Sequence, residues 1–329
     1  MRIPKSLSLR FLVSAALLGL AAESALAQRL VVPGTGQRDE RYGDDFEDEE
    51  WTYHTNLPKA SREQDGQTRD PLGYSANGKW KESPKRGTPE IVERVAPPAG
   101  GLPGSTGALS MRSQYAGIPN RPMRDGGQDD LIFNGSYVSV NRSPNVVVRV
   151  FVPPFEEWEK RTGTSFGFRI SATTMITEKK PGLRIFGGGT QKKSETYYPG
   201  LFIQYNARDA RNPQESAVLV IRGQDSGHDY AGPPITPGWW TLGMSVTPDG
   251  RFHYFARPGV ENLRPQDHVA SHSPYGYRAL HINSYFFNVC NGDTGQWSTP
   301  WIIDDPCLHY GDTAANPPQQ AFGPGGIRR

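Results

Sequence analysis

Cysteine is scarce, with only Cys290 and Cys307 in 329 residues. That excludes a disulfide-dense mini-scaffold and a multi-cysteine zinc module. A surplus of either charge is missing too, with 36 Lys+Arg against 34 Asp+Glu and a formal net charge of +2. A strongly basic nucleic-acid binder is therefore not expected. No apolar run reaches the roughly 20 residues that a membrane span needs. Helical periodicity is nearly absent, confined to the short run Phe155–Arg161 closed by Gly163.

What is present begins with an export pattern. Arg2, Lys5 and Arg10 precede the apolar run Phe11–Ala22, and Ala25-Leu26-Ala27 is a small-x-small cleavage site. Residues 1–27 read as a signal peptide, which implies an exported protein, periplasmic or extracellular. Without them the formal net charge is zero, so neither nucleic acid nor a membrane surface attracts the chain over long range. Residues 28–43 read as a linker, 44–310 as one β-sandwich domain, and 311–329 as a disordered tail. Export permits a disulfide. A Cys290–Cys307 bridge is expected, worth about 3 kcal/mol in the chain-entropy model; two separate buried thiols are the alternative.

The centre of the chain alternates with period two. Val146, Val148, Val150 and Val152 share one strand face, as do Phe166, Phe168 and Ile170, with Gly167 and Arg169 opposite. Trp240, Leu242, Met244 and Val246 alternate with Thr241, Gly243, Ser245 and Thr247. Pro248-Asp249-Gly250 then makes a turn, and Arg251–Ala256 returns as a hairpin. Ala217–Ile221 is apolar on both faces, as a central strand is. Residues 54–90 read as long loops with room for one short strand, and 112–130 and 260–280 read as loops. About a dozen short strands with almost no helix imply an all-β fold, a jelly-roll β-sandwich of two antiparallel sheets.

Two end motifs add to this. Asp45-Phe46-Glu47-Asp48 is followed by Trp51, and Trp301-Ile302-Ile303-Asp304-Asp305 stands near the end. This pair is similar to the first and last strands of jelly-roll carbohydrate-binding modules. The Trp240–Arg257 hairpin resembles those of concanavalin A-like lectin/glucanase sandwiches, including laminin-G-like domains. The resemblance implies that the first and last strands lie side by side, gathering Asp45, Glu47, Asp304 and Asp305. It also implies a structural Ca²⁺, held chiefly by Glu47 and Asp304, since Ca²⁺ takes six to eight oxygens. A solvated acidic loop is the other reading.

No catalytic constellation is found. Sandwich glucanases that this fold resembles carry E-x-D-x-x-E or E-x-D-x-E on one strand; the nearest string, Glu63-Gln64-Asp65-Gly66-Gln67, lacks the closing Glu. Glu156, Glu157 and Glu159 read as a solvated face. His268 and His272 have helical zinc spacing but sit among Pro and Ser. Gly187-Gly188-Gly189-Thr190 with Lys192 and Lys193 lacks P-loop spacing and reads as a flexible loop.

Aromatic residues beside turns are the better lead. Trp239, Tyr198, Tyr275 and Tyr277 are candidates to stack on sugar rings, with packing at the sheet ends as the alternative. The expected function is an exported, non-catalytic sandwich that binds a glycan or extracellular polysaccharide or serves a cell-surface structural role. The alternative is a polysaccharide-acting hydrolase or lyase of the same fold.

Overall fold

The computed structural model describes residues 30–116, 127–135, 137–179, 189–209 and 213–311. The expected signal peptide, Gly187, Gly188 and all of the expected tail except Gly311 lie outside them. In chain order the strands are β1 (Gln37–Gly43), β2 (Tyr53–His54), β3 (Tyr74–Ser75), β4 (Trp80–Glu82), β5 (Ile91–Val95) and β6 (Ala108–Arg112). Next come β7 (Gly127–Phe133), β8 (Val138–Ser139), β9 (Pro144–Val152), β10 (Gly163–Lys179), β11 (Thr190–Tyr197), β12 (Gly200–Asn206) and β13 (Ser216–Arg222). The last are β14 (Tyr230–Ile235), β15 (Gly238–Val246), β16 (Phe252–Pro258), β17 (His268–His272), β18 (His281–Asn291) and β19 (Trp301–Tyr310).

These strands form two sheets. The first runs β17-β16-β15-β9-β19-β6-β5, with β1 also on β19; the second runs β14-β13-β12-β10-β18-β7-β4-β3-β2, with β11 on β10 and β8 on β18. Every pairing is antiparallel. The fold is a jelly-roll β-sandwich.

The period-two faces read from the sequence build its core. Val146, Val148, Val150, Leu242, Met244, Phe166, Phe168 and Ile170 are fully buried and belong to one cluster with Phe287 and Trp301. Burying one face of each strand fixes register, because a one-residue slip would expose the whole set. The β15–β16 hairpin pairs Val246 with Phe252 as its turn predicts.

Several expectations change. Gln37–Gly43, read as linker, is a strand, and pairs with the last one through Gln37–Tyr310 and Arg38–His309. Its polar sequence fits a strand with only one neighbour. Gly127–Phe133, read as loop, pairs with both β18 and β4. Residues 54–90 extend the second sheet through β2, β3 and β4, and contribute a one-turn helix, Arg62–Asp65. His268–His272 is an edge strand in the stretch read as loop. β13 is not central; only β14 lies beyond it. The expected helical run is a single 3-10 turn, Phe155–Glu157.

The disulfide is corrected as well. Cys290 and Cys307 are both free and buried. Cys290 lies on β18 in the second sheet and Cys307 on β19 in the first. Packed sheets stand about 10 Å apart, whereas a disulfide needs Cα atoms within roughly 7 Å. Burial pushes both thiols up to about 12.

Candidate functional site

The end motifs meet, but in their own way. Asp44, one residue before the first motif, accepts from Trp51 Nε1 at 3.1 Å and Trp80 Nε1 at 2.7 Å, and Phe46 packs against both indoles. Two of the four expected metal ligands converge on the Ser105–Gly107 loop. Glu47 accepts from the Thr106 backbone N–H and hydroxyl, and Asp304 from the Ser105 hydroxyl at 3.0 Å. Burial, with Asp305 and Glu47 nearby, pushes Asp304 up to about 7. The other two go elsewhere. Asp305 is paired with Arg38 at 2.8 Å and Arg149 at 3.2 Å, and Asp45 caps the Glu47 N–H. Among the described residues no three His, Cys, Asp or Glu groups are arranged to hold a metal ion. His268 hydrogen-bonds Ser271, while His272 packs edge-on to Tyr230 and tilted against Tyr254. Glu159, read as solvated, is pinned instead by the Gly292 N–H and Arg161.

The four aromatic candidates do not form one platform. Trp239 is buried, packs on Phe151 and donates to the Pro98 carbonyl at 3.2 Å. Tyr275 and Tyr277 flank the buried Tyr197, at 6.4 and 5.3 Å between ring centroids. Tyr198 lines a cleft.

That cleft, of about 380 Å³, lies on the outer face of the second sheet. Its floor comes from outward positions of central strands: Arg169 and Ser171 of β10, Ser284 and Phe286 of β18, Asp130 and Ile132 of β7, and Lys81 of β4. Its rim is the segment the sequence left without structure, with Arg62, Glu63, Lys85 and Arg86. The volume is in the range usual for small-ligand sites. A second cleft, of about 360 Å³, shares Arg86 and continues past Gln128 to Arg161 and Asn291.

Arg169 is the centre of the first cleft. Its guanidinium stands 5.3–5.4 Å from the ring centroids of Tyr198, Phe202 and Phe286. Its Nε and Nη2 both donate to the Tyr198 carbonyl, at 3.1 and 2.7 Å. Burial lowers it to about 10, so it stays charged at neutral pH. Asp130 accepts from Gln128 at 2.8 Å and Asn288 at 2.6 Å, and burial raises it. Glu63 pairs with Arg86 at 2.6 Å. One signal was available in advance: Arg169 is a charged residue opposite the apolar strand face Phe166, Phe168 and Ile170. The rim cations carried no such signal.

No protein-family model matches the chain. No curated protein matches it in sequence either. Solved structures do. It is similar to a carbohydrate esterase from the Shiga toxin-encoding bacteriophage phi24B, at 10% identity and TM-score 0.39 over 79% of this chain and 99% of that one. It is similar to a GH131 β-glucanase catalytic domain from Podospora anserina, at 13% identity and TM-score 0.38 over 85% and 97%. It is similar to an endo-β-1,4-glucuronan lyase from Trichoderma reesei, at 14% identity and TM-score 0.34 over 67% and 87%. At such identities and scores these likenesses do not reach any residue of the cleft.

Proposed function

We propose that this protein is an exported carbohydrate-binding sandwich whose site is the cleft on the outer face of the second sheet. The observation that carries this reading is the cleft itself, a concave surface with Ser171, Ser284, Tyr198 and charged groups converging on it. Hydroxyls and charged side chains of this kind suit the many oxygens of a sugar. Binding rather than hydrolysis is favoured by the state of its two carboxylates: Glu63 is held by Arg86, and Asp130 by two amide side chains. Hydrolysis needs one carboxylic acid and one free carboxylate facing each other across the sugar.

The test is a binding screen against soluble polysaccharides with product release read from the same wells. Binding without products supports the proposal. Reducing sugars or unsaturated products would replace it by an enzyme reading, and silence across a broad panel would reject the site. A structural Ca²⁺ at Glu47 and Asp304 would have to displace the Ser105 and Thr106 donors. A melting temperature that rises from EDTA to millimolar Ca²⁺, and no longer does so in Asp304→Asn, would support it; an unchanged value would reject it.

A further inference from the structure

We propose that the occupant of the cleft is an acidic polysaccharide of uronate residues, and that Arg169 selects its carboxylate. The inference rests on the carbohydrate-binding reading and adds the class of sugar.

Charge is the first reason. Five cations line the cleft, Arg62, Lys81, Lys85, Arg86 and Arg169, against the carboxylates Glu63 and Asp130. The whole chain is nearly neutral, so the surplus is local. Such a surplus in a concave wall concentrates the field and attracts an anion.

Arg169 itself is the second reason. Among the described residues its hydrogen bonds go to a neutral carbonyl; Asp130 attracts it electrostatically but forms neither a hydrogen bond nor an ion pair with it. A guanidinium partly removed from water beside three rings is costly unless a partner completes it. A planar carboxylate matches the fork of its N–H groups.

The aromatic content is the third. Tyr198 is the lone tyrosine or tryptophan of this cleft, and Arg169 and Lys85 stand 5.4 and 5.8 Å from its centroid. Among the described residues lining the cleft there is no row of exposed rings for stacking a neutral sugar, nor the series of rings that single-stranded nucleic acid uses. A polymer is favoured over a single sugar because the second cleft continues the first through Arg86. From Ser284 to Cys290 along β18 the two span roughly 20 Å at about 3.4 Å per residue.

The experiment is calorimetric titration of the protein with polymannuronate and polygalacturonate, their carboxyl-reduced neutral counterparts, heparin, and single-stranded DNA. Wild type is compared with Arg169→Gln, Arg169→Lys and the rim variant Arg86→Gln, each checked for an unchanged melting curve. A uronate polymer is expected to bind at least tenfold more tightly than its reduced form, more weakly as salt rises. Arg169→Gln is expected to lose at least tenfold and Arg169→Lys to recover part of it. If Arg169→Gln does not fold, Arg86→Gln with the reduced polymers still decides the outcome. Equal binding of reduced and native polymers would overturn the uronate inference and leave the carbohydrate site standing. Tighter binding of heparin or DNA than of either uronate would overturn it in favour of a sulfated or phosphate-bearing ligand. No binding to any polymer would overturn both readings.

Discussion

Arg149 and Arg169 occupy matching places in the two sheets, each on a middle strand and each pointing away from the shared core. Their surroundings differ. Arg149 is buried, paired with Asp305 at 3.2 Å, and bonded to Asn262 Oδ1 and the Val260 carbonyl. The face around it is covered by the chain's own segments. At Gly243 a Cβ would meet Pro33 and Leu263 at 2.5 Å, and Ser245 donates to the Val31 carbonyl. Among the described residues, the outer face of the second sheet is instead open at a cleft that Arg169 lines. At Gly167, beside it, the atoms nearest to a Cβ would be those of Phe202 and Asn288 on neighbouring strands. One arginine is ion-paired within its own fold; the other, among the described residues, has hydrogen bonds to a carbonyl and no ion pair.

The contrast can be broken by mutation. Arg149→Ala strands Asp305 with one partner in a partly closed site and is expected to cost about 3–5 kcal/mol, read as a lowered denaturant midpoint with unchanged slope. Next in size is Asp304, on the covered sheet but without a cation bonded to it. Its folded value is raised to about 7, so the folded state keeps a proton that the unfolded chain loses near pH 4. Its contribution to stability therefore falls as pH rises from about 4 to 7. Asp304→Asn is expected to gain on wild type across that window, by about 1–3 kcal/mol; equal pH profiles from urea unfolding would reject this. Arg169→Gln is expected to change stability by less than about 1 kcal/mol, since no ion pair is lost. A cost as large as that of Arg149→Ala would make Arg169 structural and erase the comparison. The smallest effect concerns the thiols, one in each sheet. Native protein is expected to resist a thiol reagent at neutral pH, and denatured, unreduced protein to titrate two thiols; none would restore the disulfide.

The core was legible in the sequence because burial of one face writes period two into β9, β10, β15 and β16. The polar strands were not. In β7, Asp129 and Asp130 break the pattern, yet Asp129 is buried because Lys59 reaches it at 2.6 Å, and Asp130 because Asn288 does. Those partners come from distant stretches, and spacing along the chain does not reveal them. The Cys290–Cys307 spacing misled for a related reason, since it does not tell which sheet receives each residue. Of the cleft, Tyr198 was a candidate, Arg169 was placed only on the strand face away from the core, and the rim cations lay in a segment with little periodicity.

The pairing of β19 bears on how the molecule is assembled in time. This strand joins β9 on one side to β6 and β1 on the other. Without it the first sheet falls into three unconnected pieces: a four-stranded part, the β5–β6 hairpin and β1 alone. Closure therefore depends on contacts between residues more than 150 positions apart, which are slow to form. A fragment cut before Trp301 is expected to expose the inner valines of β9 and aggregate rather than fold, so the sandwich closes only once its last strand is in hand.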